Sequence, residues 1–222
     1  MTTFSVYAKR PWLVYPMPRC IATLFSSVPY HVLPVGHETP FGLHRSVHFI
    51  ETGLIATYIQ TPNGELRITG LFGPGSILGA AKAMTHPTTT MQLYARTLCD
   101  CKIRTLSAEH FLHLLAQNPT YEDLVQDTIS KSHECQMDGL LVNDLLCVKD
   151  RLALLIKVLF DLQKTPLNLS LQRLQYPLSV LEMANMVHAT RAVISRQLST
   201  WIQEKKAAKM GRHWFFHQGI LD

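Results

Sequence analysis

The chain has 222 residues, of which 47% are hydrophobic and 17% charged, and this balance excludes an intrinsically disordered chain. No apolar run approaches the roughly 20 residues that span a bilayer, and residues 1–10 lack the apolar centre of a signal peptide. We therefore expect a folded cytoplasmic protein of one large or two modest domains, with no membrane partner.

The net charge of +5 is unevenly distributed along the chain. Residues 1–50 carry +3, residues 51–177 carry −1, and residues 178–222 carry +3. A compact basic segment at the C-terminal end is the electrostatic footprint that binding to phosphate requires. A solvated basic surface without a partner is the simpler alternative.

Short strands separated by glycine and proline are predicted from Val28 to Leu106. The runs Leu54–Gln60 and Leu66–Phe72 are rich in β-branched and aromatic residues, and Asn63-Gly64 lies between them. Because Asn-Gly supplies the positive φ angles of a type I′ turn, these runs are predicted to form an antiparallel hairpin. A further β stretch, Met91–Leu106, completes an all-β unit.

Helical periodicity begins at Ser107 and continues, with interruptions, to Gln163. A short helix is predicted to stop near Asn118-Pro119, because proline disfavours helix in the residue before it. A longer helix is predicted from Tyr121 to about Leu146, and another from Val148 to Gln163. The long helix could pack against its own copy in a dimer or lie on its own β domain. Pro166–Pro177 is predicted to be a loop or short hairpin.

Two capped helices joined by a short turn are predicted near the C-terminus. Ser179 and Glu182 match a capping box, so one helix begins there and ends near His188-Ala189. Thr190 is a suitable N-cap for the second helix, and the turn has the length of a helix-turn-helix. The predicted apolar face of the second helix consists of Val193, Ile194, Leu198, Trp201 and Ile202.

The second helix carries small and basic residues opposite its apolar face. Such a helix can enter the major groove, where small side chains permit close approach and arginine pairs with guanine or contacts phosphate. Lys209 and Gly211 lead into Trp214–His217, a predicted wing strand near the phosphates. Tyr94 and the aromatic residues of this segment are predicted to pack in the core. The predicted DNA-binding residues are Thr190, Arg191, Ser195, Arg196, Ser199, Lys205, Lys206 and Arg212.

Five stretches of the sequence carry a family resemblance to the Crp/Fnr superfamily of bacterial transcription regulators. The likeness is strongest in Met183-Ala-Asn-Met-Val-His-Ala-Thr-Arg-Ala-Val-Ile-Ser-Arg-Gln-Leu, and it extends through Phe49–Ala56, Phe72–Gly79, Ser107–Pro119 and Val148–Gln163. Over about residues 30–222, the resemblance implies an α+β fold. An N-terminal antiparallel, jelly-roll-like β-roll (1–118) would precede a long central dimerisation helix (119–147) and a C-terminal winged helix-turn-helix (148–222). It also implies a homodimer that reads a pseudo-palindromic site in double-stranded DNA, with RNA polymerase as a further partner.

The effector pocket implied by the resemblance departs from that of relatives that bind cyclic AMP. Those relatives place a glutamate just after the glycine matching Gly79 and an arginine farther along, whereas here Ala80-Ala81-Lys82 follow and no arginine precedes Tyr94. Because the cyclic phosphate would lose its charge-assisted partner, cyclic AMP is not expected to bind, although Lys82 or Arg96 could substitute. The candidate pocket, for an unknown ligand, comprises Gly79, Ala80, Lys82, Tyr94 and Arg96.

Haem is a second candidate ligand, because some relatives bind haem and the chain has 11 histidines. The alternative is that these histidines lie on the surface. Cys20 stands alone near the N-terminus, so the cysteine cluster of iron–sulfur relatives is missing. No other metal site is predicted. The candidate haem ligands are His31, His37, His44 and His48.

Two further departures lie in the predicted DNA reader. His188 replaces the glycine usual at the turn, so it would either adopt the turn conformation at some cost or face phosphate. Ala192 replaces a glutamate that some relatives use to accept a hydrogen bond from cytosine. The base preference is therefore expected to differ from that of those relatives.

The five cysteines are odd in number and form no CxxC pair, so reduced thiols are expected. Cys99 and Cys101 would share one face of a strand, where they could oxidise, bind a metal or be buried structural thiols. The sequence thus predicts a DNA-binding transcription regulator with a divergent or lost effector site, and redox or stress-linked control is one hypothesis.

Two other functional classes compete with this prediction. An enzyme is not expected, because the chain has no GxSxG, HExxH, Walker or Rossmann motif. The alternative is an interaction module whose β-roll binds a protein partner and whose DNA binding is weak or lost. Salt-dependent DNA binding distinguishes the two.

Overall fold

The computed structural model describes residues 10–41, 46–61, 64–85 and 93–221. Its N-terminal part contains two four-stranded antiparallel sheets, with strand orders β1-β8-β3-β6 and β2-β7-β4-β5. This arrangement confirms the predicted β-roll. The strands are β1 (Tyr30–Leu33), β2 (Glu38–Phe41), β3 (Ser46–Thr52), β4 (Ile55–Gln60), β5 (Leu66–Phe72), β6 (Ile77–Leu78), β7 (Leu93–Thr97) and β8 (Cys101–Ser107).

The predicted hairpin is formed by β4 and β5, which pair antiparallel with Tyr58 opposite Ile68. The pairing shifts register between Thr57 and Tyr58, which adds a bulge to the ladder. Gly64 has a φ of 79°, a conformation that glycine adopts without steric cost. Asn63, the other residue of the predicted turn, lies outside the described residues.

Two short helices belong to the β-roll part: α1 (Arg19–Ala22) precedes β1, and α2 (Ala80–Met84) lies between β6 and β7. Three further helices follow the β-roll, close to their predicted positions. They are α3 (Ala108–Ala116), α4 (Pro119–Leu145) and α5 (Val148–Leu162). The start of α4 is earlier than the predicted Tyr121. Proline is tolerated in the first turn of a helix, and the Asn118 side chain accepts a hydrogen bond from the Thr120 amide at 3.1 Å.

An N-terminal segment that the sequence pattern does not predict ties α4 to the β-roll. The backbone amide of Trp12 donates to the Cys135 carbonyl at 2.8 Å, and the Trp12 carbonyl accepts from Leu71 of β5 at 2.8 Å. The Trp12 side chain is buried and lies against Gly139 of α4. Since Gly139 has no Cβ, the indole ring can approach the helix backbone closely.

The C-terminal part contains a helix-turn-helix and a three-stranded sheet of order β10-β11-β9, whose strand β9 precedes the two helices in the sequence. The capping box is present, because Ser179 and Glu182 exchange side-chain and backbone hydrogen bonds. The segment predicted as loop or hairpin supplies β9, which pairs with β11. The elements are β9 (Gln172–Arg173), α6 (Val180–Met186), α7 (Arg191–Gln203), β10 (Ala207–Met210) and β11 (His213–Phe216).

The predicted apolar face of α7 is only partly correct. Ile194, Leu198 and Trp201 are buried, whereas Val193 and Ile202 are 38% and 43% exposed. The buried residues follow the i, i+4, i+7 spacing of one helix face. Val193 and Ile202 each adjoin a buried residue in sequence and are therefore rotated away from the core.

One hydrophobic cluster joins the two parts of the chain. It combines Ala56 and Ile68 of the β-roll with residues of α5, α6 and α7, and α6 packs on β5. A second cluster, which includes Phe25, combines Val47 and Leu106 of the β1-β8-β3-β6 sheet with Phe111 of α3 and Val125 of α4. Among the helices of the described residues, none is both long and apolar enough to cross a membrane.

Candidate nucleic-acid interface

Burial of one side of α7 fixes which side chains the helix presents to solvent. With Ile194, Leu198 and Trp201 in the core, the opposite face is set by a helical period of 3.6 residues. This outward face consists of Ala192, Arg196, Ser199 and Gln203, and all four side chains are exposed. Gln203 is not among the predicted DNA-binding residues, although its spacing from Arg196 and Ser199 places it on this face.

The two arginines of α7 carry the charge of this surface. Arg191 is the first residue of the helix, Arg196 lies on the outward face, and both are exposed. Within the described parts of the chain, neither guanidinium has an ion-pair partner. Their charges are therefore available to a phosphate or a guanine edge.

The predicted hydroxyl residues of α7 also form hydrogen bonds within the helix. Thr190 caps it, its hydroxyl oxygen accepting from the Val193 amide at 3.3 Å. Ser199 donates its hydroxyl to the Ser195 carbonyl at 2.9 Å and keeps acceptor capacity toward solvent. Ser195 is exposed at the edge of the outward face. Thr190 is thus primarily a structural cap.

The basic residues after α7 fall into two groups. Lys206 forms an ion pair with Glu204 at 3.3 Å, and Lys209 lies over the Trp214 ring at 5.1 Å. Lys205 and Arg212 are exposed. Of the four basic residues that follow α7, Lys206 and Lys209 therefore contact other side chains of this segment, whereas Lys205 and Arg212 are presented to solvent.

The helix-turn-helix turn is attached to three other elements. His188 has a φ of 50°, and its Nε2 atom lies 3.4 Å from the Ile68 carbonyl of β5. Arg151 of α5 donates to the Val187 carbonyl at 3.2 Å, and Asn143 of α4 donates to the Met186 carbonyl at 3.0 Å. Burial lowers the pKa of His188, which favours a neutral imidazole. His188 is thus a structural turn residue that contacts the β-roll.

The residues predicted for an effector pocket lie in two separate settings. Gly79 has a φ of 99° and precedes α2, which contains Ala80 and Lys82 and packs against β3, α3 and α4. Tyr94 and Arg96 lie on β7, which pairs with β2 and β4. The predicted pocket residues are thus divided between α2 and β7, which pack against different elements.

Arg96 and Tyr94 are engaged by neighbouring strands. Arg96 forms an ion pair with Glu38 of β2 at 3.1 Å, and the Tyr94 ring stacks on Tyr58 of β4 at 5.4 Å between centroids. Burial, followed by the negative charge of Glu38, raises the pKa of Tyr58 to about 12. Because its charge is already paired, Arg96 is a poor substitute for the phosphate-binding arginine of cyclic AMP-binding relatives.

The candidate haem ligands do not converge in the described residues. His31 lies on the exposed strand β1 and His37 in an exposed turn, while His44 lies outside the described residues. His48 of β3 contacts the Thr105 hydroxyl at 2.9 Å, and burial lowers its pKa. The described parts of the chain contain no group of three His, Cys, Asp or Glu side chains that could hold a metal ion.

Cys99 and Cys101 do not share a strand face as predicted. Cys99 is half-buried in the turn before β8, and Cys101 is the first residue of that strand and is buried. The Cys101 thiol donates to the Cys99 carbonyl at 3.2 Å. A hydrogen bond from Cys101 lowers the pKa of the Cys99 thiol, and the same contact together with burial raises that of Cys101. Both cysteines are free thiols.

The long helix α4 has one buried and one exposed apolar side. Val125, Cys135 and Val142 are buried against the rest of the chain. On the other side, the C-terminal half exposes four large apolar side chains, about half of whose surface is accessible to solvent. These are Met137, Leu140, Leu141 and Leu145.

Comparison with known proteins places this architecture among solved structures. Residues 43–118 match the family model of the cyclic nucleotide-binding domain. FixK2 from Bradyrhizobium japonicum is 15% identical with a TM-score of 0.72, over 87% of this chain and 95% of that chain. The c-di-GMP-responsive global regulator CLP from Xanthomonas campestris is 18% identical with a TM-score of 0.68, over 90% of this chain and 99% of that chain.

A third solved structure has a similar extent of likeness. TTHB099, a CRP-family transcriptional regulator from Thermus thermophilus, is 16% identical with a TM-score of 0.68, over 86% of this chain and 94% of that chain. Comparison with curated proteins finds no match. The likeness therefore extends over both the β-roll and the C-terminal part, and it establishes the fold.

Proposed function

This chain has the fold of the Crp/Fnr transcription regulators, and we propose that it regulates transcription by binding duplex DNA as a homodimer. The observation that carries the proposal is the exposed side of α7: Arg196 lies among small side chains on the outward face, Arg191 lies at the helix start, and neither has an ion-pair partner in the described residues. In the proposed division of labour, residues 1–118 sense or scaffold, 119–147 dimerise and 148–222 bind DNA. RNA polymerase is the expected protein partner.

Different contacts to DNA are expected for the arginines of α7 and for the basic residues that follow this helix. Arg196, near the middle of the outward face, is positioned for a base edge, and Arg191 at the helix start for a base edge or phosphate. Lys205 and Arg212 are positioned for phosphate contacts beside the groove. Lys206 and Lys209 contribute to the positive potential while they retain their internal contacts.

The exposed apolar side of α4 is proposed to bind a second copy of the chain. Met137, Leu141 and Leu145 recur at spacings of four residues along the same side of the helix, as in paired helices. Burying them in a dimer would remove large apolar side chains from water, with about 25 cal/mol gained per Å² of apolar surface. A dimer would also place two copies of α7 on the two halves of an inverted repeat.

Selection of bound sequences from a random duplex pool tests the proposal. The purified full-length chain is incubated with the pool at near-physiological salt without added ligand, and the bound fraction is sequenced. An enriched inverted repeat supports a dimeric reader. Binding that shows no sequence preference, or no binding even after incubation with cell extract, supports the protein-interaction module instead.

A variant of the exposed α4 side tests the dimer separately. Leu141→Glu places a charge on the proposed interface. Sedimentation is expected to show that this variant is a monomer, and a binding assay is expected to show that it has lost tight binding to an inverted repeat. Ser130→Glu is the matched control, because it adds the same single negative charge at an exposed, uncharged position of the same helix outside the apolar stretch. A dimer that survives Leu141→Glu would show that another surface mediates assembly.

Control by cyclic AMP is not part of the proposal, because the Arg96 guanidinium is paired with Glu38 and Lys82 lies on a different element. We propose instead that Cys99 and Cys101 form an oxidant-sensitive pair. The supporting observation is their position at the junction with the C-terminal part: Cys99 packs against the cluster that contains Tyr176. Burial and the two neighbouring thiols raise the pKa of Tyr176 to about 12.

The proposed oxidation is balanced with hydrogen peroxide as the oxidant. The Cys99 thiolate accepts one oxygen atom to become a sulfenic acid, and hydroxide leaves. The Cys101 thiol then attacks the Cys99 sulfur, forming a disulfide and releasing water. A disulfide between Cys99 and Cys101 would disturb the packing of Cys99 against the hydrophobic cluster that contains Tyr176. We expect this disturbance to shift the position of the DNA-binding part.

A further inference from the structure

The first turn of α7, which begins at Arg191, exposes two apolar side chains close to Arg196. Ala192 lies on the outward face, and Val193 is 38% exposed although its neighbour Ile194 is completely buried. Both residues are close to the N-terminal end of the helix, next to Arg191 and within one turn of Arg196. Water thus contacts a β-branched side chain at the edge of the outward face.

An apolar side chain at this position has one apolar counterpart among the base edges of the major groove. The edges of guanine, cytosine and adenine present hydrogen-bond donors and acceptors, whereas thymine also presents its C5-methyl group. Contact between a valine side chain and this methyl group removes apolar surface from water on both sides. A valine side chain also has few rotamers, so little side-chain entropy is lost when it is fixed.

The charges around the pair favour DNA as the occupant. Arg196 follows Val193 by three residues and is therefore its neighbour on the helix surface, while Arg191 lies at the helix start. Both arginines are exposed, and neither has an ion-pair partner in the described residues. Their attraction to the phosphates would bring the first turn of α7 into the groove. An acidic side chain, which could accept a hydrogen bond from cytosine, is missing from this turn.

We propose that Val193, with Ala192 beside it, recognises thymine through its C5-methyl group. This inference rests on the proposed function, and it specifies one base of each half-site. Arg196 reads a guanine or contacts phosphate on the neighbouring surface, so its contribution to specificity is distinct. Ala192 contributes by its small size, which lets the backbone of the first turn approach the base edges.

Replacing thymine by deoxyuridine tests the contact, because the change removes the methyl group and keeps base pairing intact. Each thymine of the selected inverted repeat is replaced in turn, in both half-sites, and binding of the full-length protein is measured at constant salt. At one symmetric thymine position, affinity is expected to fall about fourfold per half-site, the effect of losing one buried methyl group. Deoxyuridine at the other positions serves as the control.

Variants of α7 assign the effect to Val193. Val193→Ala is expected to bind the thymine and deoxyuridine sites with affinities within about twofold of each other, because the contacting methyl groups are gone. Ile202→Ala is the matched control: Ile202 is another exposed apolar residue of α7, but it lies near the C-terminal end. It is expected to keep the discrimination. Thermal unfolding of both variants establishes that the helix is folded.

Each outcome decides the inference. Equal binding of all deoxyuridine sites by the wild-type protein overturns thymine recognition, as does discrimination that persists in Val193→Ala. Both results leave sequence-specific DNA binding intact, so they are distinguishable from failure of the proposed function. If no sequence is selected at all, the inference fails together with the DNA-binding proposal.

Discussion

Gly139→Ala is expected to destabilise the protein by forcing Trp12 out of its place against α4. A Cβ atom at position 139 would lie 2.3 Å from Cδ1 and 2.7 Å from Nε1 of Trp12. The Trp12 side chain is buried against α4, so the indole ring would lose its packing if it moved out into solvent to avoid the new Cβ atom. The substitution therefore tests the contact that attaches the N-terminal segment.

Two opposing effects set the magnitude. Alanine is favoured over glycine in a helix interior by about 1 kcal/mol. Overpacking a core costs about 1–3 kcal/mol, and loss of a tryptophan from it costs about 3–5 kcal/mol. Because displacement of Trp12 exceeds the alanine preference, we expect Gly139→Ala to lower the free energy of unfolding by about 2–4 kcal/mol, with a decrease of about 2–4 °C in melting temperature per kcal/mol.

Unfolding is measured at one protein concentration, because dimerisation makes stability concentration-dependent. In a Trp12→Ala background the steric conflict is absent, so Gly139→Ala is expected to stabilise that background by about 1 kcal/mol. The sign of the effect thus inverts between the two backgrounds. If Gly139→Ala stabilises the wild-type protein as well, the packing of Trp12 against α4 is wrong.

Three further predictions concern the helix-turn-helix turn, the arginine at the helix start and the thiol pair. Burial lowers the pKa of His188 below its ordinary value of 6.5, so protonation opposes folding and this residue's contribution to stability is lost as pH falls below about 6.5 toward the folded pKa. His188→Gln should flatten the decrease in urea midpoint between pH 7.5 and 5.5, and an unchanged decrease would assign it to other groups. If Arg191 contacts phosphate, Arg191→Ala should reduce the slope of log affinity against log salt by about 1 per half-site, which is about 2 for the dimer. An unchanged slope combined with altered base preference would instead assign it to a base edge. Hydrogen peroxide should weaken DNA binding reversibly with dithiothreitol, and Cys99→Ser should abolish this sensitivity while Cys147→Ser, at another free cysteine, keeps it. Equal sensitivity of Cys99→Ser and the wild type would exclude the pair.

Local signals predict the helix-turn-helix well. The capping box of Ser179 and Glu182 and the cap at Thr190 depend on residues three positions apart, so the sequence contains the whole interaction. The i, i+4, i+7 pattern similarly identifies Ile194, Leu198 and Trp201. The prediction that Val193 faces the core is wrong, because its angular position on the helix outweighs its apolar character.

Contacts between distant parts of the chain could not be predicted in the same way. Trp12 meets Cys135 and Gly139, which follow it by more than 100 residues, and no periodic pattern precedes that contact. His188 contacts the Ile68 carbonyl across a comparable separation, so its structural role depends on how the two parts pack. The pairing of Arg96 with Glu38 likewise requires knowledge of which strands are neighbours.

Base-specific loss of affinity in Arg196→Ala tests most directly whether α7 reads DNA. Affinities of the wild type and the variant are measured on the selected inverted repeat and on all single base-pair substitutions of one half-site. We expect the variant to lose about 1–3 kcal/mol per half-site and to lose its preference at one base pair, because a bidentate arginine contact is removed. Arg19→Ala, at an exposed position on α1, should retain both affinity and preference. Unchanged affinity and unchanged preference in Arg196→Ala would contradict DNA reading by this face of α7.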